Sequence, residues 1–86
     1  MKIIKTENRI FDGKIYTIKF WQESAELFAQ AFQGLVPVSH QFTVDTAQID
    51  AMRRYYRFEP IDMLKNRVKG FVEECTRLKI KGFMLR

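Results

Sequence analysis

The chain has 86 residues and a net charge of +5, with 47% apolar and 14% aromatic residues. That is enough apolar material for one small core and too little chain for two domains, and it excludes an intrinsically disordered segment. No apolar run approaches the roughly 20 residues that cross a bilayer, the first six residues lack a secretory signal's apolar centre, and Cys75 is the single cysteine. The expectation is one soluble, cytoplasmic domain over residues 1–86, with no internal disulfide framework and no membrane association.

The charge is unevenly placed. Residues 1–45 hold five basic and five acidic side chains, whereas residues 46–86 hold ten basic and five acidic ones. An acidic partner would therefore meet the second half.

Residues 2–21 read as a β-hairpin. Tyr16, Ile18 and Phe20 alternate with polar neighbours, and Asp12-Gly13 is a turn signal. A two-residue loop would set that apolar row opposite Arg9, Glu7 and Lys5. A three-residue loop, Phe11-Asp12-Gly13, sets Phe20 opposite Ile4, Ile18 opposite Thr6 and Tyr16 opposite Asn8. The second register is expected, with Gly13 left-handed in a bulge.

Residues 22–33 read as a helix, because Trp21, Ala25, Phe28, Phe32 and Leu35 recur at helical spacing, with Gly34 as its terminating residue. Residues 36–44 alternate again, with Val36, Val38, His40, Phe42 and Val44 on one face. Pro37 places that strand at a sheet edge.

A second helix should start at Asp45, which forms a capping box with Gln48. Ile49, Met52 and Tyr56 supply its apolar side, and Pro60 ends it near Arg57. Pro60 also suits the first position of a third helix. There Ile61, Leu64, Val68, Phe71, Cys75 and Leu78 form the longest stripe in the chain, widened by Val72. Gly70 lies inside that helix and implies a close contact. The tail, residues 82–86, is expected to form a last strand or an arm that docks on a partner.

The expected fold is thus α+β, in the order ββαβαα. A small, mostly antiparallel sheet, made of the N-terminal hairpin and a third strand, carries three helices on one face.

Catalysis is not expected. His40 is the single histidine and sits on an apolar strand face; Cys75 sits on the apolar stripe of a helix. No nucleophile elbow, phosphate loop or dinucleotide fingerprint is present. One cysteine and one histidine make no zinc site, so neither metal nor cofactor is expected.

Binding is expected instead, in one of two forms. Trp21, Phe58, Phe83 and Met84 lie at segment ends or in the tail, together with Phe11. With the strand edge they suit a protein partner or a homodimer. The alternative is nucleic acid. Arg53, Arg54 and Arg57 share a helix side, Tyr55 can stack on a base, and Lys65 and Lys69 add a second basic pair.

Overall fold

The computed structural model describes residues 2–57 and 59–86. Five strands form one antiparallel sheet: β1 (Ile3–Phe11), β2 (Lys14–Glu23), β3 (Glu26–Gln33), β4 (Val36–Pro37) and β5 (Phe42–Asp45). Two α-helices follow, α1 (Thr46–Ala51) and α2 (Pro60–Leu78), and α1 runs on into a π-helical segment, Met52–Tyr56. The class is α+β, as expected, but with two helices where three were expected and with more strands.

The missing helix is β3. Residues 22–33 complete β2 and return along β3 through a turn at Ser24-Ala25, where Ser24 takes a left-handed φ of 53°. The spacing of Phe28 and Phe32 misleads, because four residues apart means one face in a helix and one face in a strand alike. Leu27, Ala29 and Ala31 break the tie: they alternate with Phe28, Gln30 and Phe32, and all three are buried. Gly34 keeps a left-handed φ of 64°, but in the two-residue turn that links β3 to β4 rather than at a helix end.

The first hairpin also differs from expectation. Its loop has two residues, Asp12 and Gly13, both left-handed, and Tyr16, Ile18 and Phe20 pair with Arg9, Glu7 and Lys5. Both central residues of a type I′ turn need positive φ, which an Asp-Gly pair supplies. The apolar row tolerates charged neighbours because α2 lies over β2, β3 and β5 and not over β1. The row on β2 is roofed, whereas β1 stays at the margin, where Glu7 and Arg9 pair at 2.9 Å in contact with water. Inward charges on an edge strand also deter pairing with another chain. Near its start β1 carries a bulge: Ile4 is the extra residue between the pairs Ile3–Trp21 and Lys5–Phe20.

Residues 36–45 do lie at the other edge, but as two strands. Between the pairs Phe32–Pro37 and Ala29–Phe42 the register slips by two residues. Ser39 bridges the gap. Its hydroxyl accepts the Ala31 N–H at 2.9 Å and donates to the His40 carbonyl, while Gln30 Nε2 donates to the Ser39 carbonyl. A side chain thus replaces the missing ladder bond, and Ser39 is fully buried.

One core sits between the sheet and α2. Tyr16, Ile18 and Phe20 meet Leu27, Ala29, Ala31, Val38 and Val44, and the helix adds Leu64, Val68 and Val72. Each such aliphatic or aromatic side chain contributes about 1.5–3 kcal/mol on burial. The capping box forms as expected, with Gln48 N–H donating to Asp45 Oδ1 at 2.8 Å and Asp45 N–H donating to Gln48 Oε1 at 3.0 Å. Pro60 opens α2. Tyr56 is exposed rather than on an apolar side, because the wider π turn carries it off the stripe of a regular α-helix. The tail is neither a strand nor a free arm. Leu85 enters the core, its N–H donates to Thr76 Oγ1, and Gln33 exchanges two hydrogen bonds with the Arg86 backbone. Among the described residues no helix is long and apolar enough to cross a membrane.

Candidate functional site

Regular pairing makes cross-strand partners share a face, so the register alone sorts side chains between the two sides of the sheet. The side under α2 is the core. The other side bears no helix. On it Ile10 lies beside Ile15, and a row of Asn8, Thr17, Phe32 and Pro37 follows. Next come Thr6, Lys19 and Gln30, then Ile3, Trp21, Phe28 and Thr43, and last Glu23, Glu26 and Asp45.

This outer face is apolar at one end and acidic at the other. Ile10 is 73% exposed and Ile15 61%. Phe32 lies under Lys19, whose Nζ is 4.6 Å from the ring centroid. Trp21 and Phe28 stack with centroids 5.5 Å apart and planes within 5°. Leu35 and Val36, in and after the neighbouring turn, are exposed as well. Across the far end three carboxylates stand in register, and the Thr43 hydroxyl donates to Glu26 at 2.8 Å. Apart from Lys19 the face carries no cation among the described residues, although the chain is basic.

The interface residues expected from their end positions are placed otherwise. Trp21 is only 2% exposed, with Phe28 stacked on its ring. Phe83 joins an aromatic cluster with Phe71, whose ring is 5.3 Å away, and with His40; Met84 is part-buried beside it. Phe58 lies outside the described residues. The exposed apolar side chains of this face are Ile10 and Ile15, with part-buried Phe28 and Phe32, which the sequence pattern assigns to the stripe of a helix. The signal for the two isoleucines was the two-residue Asp12-Gly13 loop, since accepting it puts Ile10 opposite Ile15.

The basic residues divide into two groups. Arg53, Arg54, Tyr55 and Arg57 are exposed on the π-helical segment and its left-handed end, and Tyr55 and Tyr56 are 73% and 67% exposed. Arg53 reaches Glu59 at 3.7 Å; Arg54 and Arg57 have no ion pair among the described residues. Lys65 and Lys69, on α2, each have an acidic neighbour on the same helix, Asp62 at 3.7 Å and Glu73 at 4.0 Å.

Groups suited to chemistry are tied into packing. His40 is exposed, with its ring against Phe42 at 4.3 Å and Phe71 at 4.6 Å. Cys75 is buried, and burial pushes its thiol pKa up, away from the reactive thiolate. Tyr16 is buried under α2, and its hydroxyl has no hydrogen-bond partner among the described residues. Its pKa is pushed up to about 12, by burial first and then by the Glu73 carboxylate, with Arg9 pulling the other way. Among the described residues no group of three or more histidine, cysteine or acidic side chains is arranged to hold a metal.

No protein-family model matches the sequence, and neither a curated protein nor a solved structure matches it.

Proposed function

We propose that this protein is a non-catalytic interaction module that self-associates through the open face of its sheet. One observation carries the reading: both helices lie on one side, and the opposite side leaves Ile10 and Ile15 in solvent, with the part-buried rings of Phe32 and Phe28 beyond them. Exposed apolar side chains gathered on one face mark contact sites on soluble proteins. The two sheet edges support a face rather than an edge. Inward charges and a bulge blunt β1, and Pro37 with the Ser39 bridge interrupts the other edge.

Charge selects the geometry. A two-fold axis parallel to the strands would lay Glu23, Glu26 and Asp45 on the same three carboxylates of the second copy. An axis across the strands lays that acidic end against the other copy's Asp12-Gly13 end and stacks the apolar rows in between. The test is light scattering at about 100 μM, well above a micromolar dissociation constant. The expected mass is near twice 10.3 kDa, falling to the monomer value on Ile15→Lys. A monomeric wild type, or an Ile15→Lys dimer, overturns the reading.

A second reading, nucleic-acid binding, rests on a different observation. Tyr55 and Tyr56 stand in solvent beside Arg54 and Arg57, a pairing of stacking rings and forked donors suited to single strands. Fluorescence anisotropy with labelled single-stranded DNA and RNA is expected to show binding that weakens steeply with salt and is lost on Arg54→Ala with Arg57→Ala. Absence of binding at low salt removes this reading and leaves the first untouched.

A further inference from the structure

We propose that the cleft beneath α1 is a binding site for a free α-amino acid with an aliphatic side chain. The cleft has a volume of about 290 Å³ and lies where α1, the start of α2 and the open ends of β1 to β3 converge. Ile4, Leu27, Ile49, Pro60 and Ile61 give it an apolar side, and Gln22 and Thr46 add neutral polar groups. Its rim carries two opposite charges, Asp50 and Arg53.

Size narrows the ligand first. Sites for small molecules run from roughly 300 to 1,000 Å³. This one stands at the lower limit, with room for a molecule of amino-acid size. Charge narrows it further. Asp50 and Arg53, one on α1 and one on the π-helical segment, both line the cleft. Among the described residues they form no ion pair with each other. Arg53's partner is Glu59 at 3.7 Å, and both of those side chains are more than half exposed, so water screens the pair and a ligand can replace it.

A carboxylate alone would meet Asp50, and an amine alone would meet Arg53. A molecule with both on one carbon satisfies both, leaving its side chain for Ile4, Leu27, Ile49 and Ile61.

Two local irregularities aim side chains into this one cleft. Ile4 is the extra residue of the β1 bulge, and a bulge redirects the side chain it carries. Arg53 stands in the π-helical segment, whose wider turn shifts it from its α-helical direction. A regular strand and a regular helix would place neither side chain in the same way. The site is separate from the outer sheet face and does not depend on self-association.

The test is an NMR titration of the isotope-labelled full chain with L-leucine and L-isoleucine to about 10 mM, which nearly fills a site of millimolar affinity. Shifts are expected at residues 4, 27, 49, 53 and 61. 4-Methylpentanoate, isoamylamine and glycine, each lacking one of the three features, are expected to bind about tenfold or more weakly than leucine. Asp50→Asn and Arg53→Gln, both on exposed side chains, are each expected to weaken leucine binding to the same degree. No shifts, shifts centred elsewhere, 4-methylpentanoate equal to leucine, or wild-type binding by both variants overturns the proposal. The ligand comparisons need no variant, so a misfolded mutant leaves the test intact.

Discussion

Replacing Tyr16 by Phe isolates one polar atom in the core. The Tyr16 ring is 1% exposed, and its hydroxyl has no partner among the described residues, between the charged row of β1 and Glu73 of α2. An unpaired buried hydroxyl costs about 1–3 kcal/mol of desolvation. Phe keeps the ring and drops the oxygen, so Tyr16→Phe is expected to stabilise the protein at pH 7 by about 1 kcal/mol. Ionisation gives a second readout. The folded pKa of about 12 lies above the ordinary tyrosine value of 10.0. The contribution of this shift is therefore present in full below pH 10 and is lost as pH rises toward 12, because the unfolded chain releases the proton first. At about pH 11 the wild type should have lost a further ~1 kcal/mol relative to the Phe variant. All other side chains are common to the two proteins and cancel in the difference. Urea unfolding of both proteins at the two pH values measures this. A Phe variant less stable at pH 7, or a stability gap that does not widen at pH 11, refutes the reasoning.

Gly70 lies in α2 with helical backbone, and a Cβ there would have nothing within 4 Å. Gly70→Ala is expected to stabilise the fold by about 1 kcal/mol through helix propensity, read as a shift in the urea midpoint. Ser39→Ala removes the acceptor of the buried Ala31 N–H, and a loss of about 1–3 kcal/mol is expected from urea unfolding, with hydrogen exchange at Ala31 accelerated. Leu85→Ala empties a fully buried position in the tail and is expected to lose about 2–5 kcal/mol in thermal unfolding, whereas Leu35→Ala, at an exposed turn, should change stability by under about 0.5 kcal/mol.

Features that depend on near neighbours were legible in the sequence. The Asp45–Gln48 box, the Pro60 start and the Leu64–Val68–Val72 stripe each need only a turn or two of chain to declare themselves. The Gly70 inference was not of this kind: the position is open, so helix propensity is all that the glycine gives up. Features that depend on what lies overhead were not legible. Whether Lys5, Glu7 and Arg9 can face inward turns on how far α2 extends across the sheet, which no periodicity states. Residues 22–33 fit a helix as long as only Trp21, Phe28 and Phe32 are weighed; Leu27 and Ala31 show the strand. The surface was misassigned for the same reason. Trp21 and Phe83 lie at segment ends, yet Phe28 stacks on one and Phe71 packs on the other. Ile10 and Ile15, unremarkable within the hairpin, face outward together because the loop has two residues.

The central claim is that the sheet's bare side is a contact between two copies. Cross-saturation NMR between deuterated, 15N-labelled and unlabelled copies reads that contact directly. Signal loss is predicted at the amides of residues 10, 15, 28 and 32. Loss confined to α2 or the β1 edge, or no loss anywhere, would contradict it.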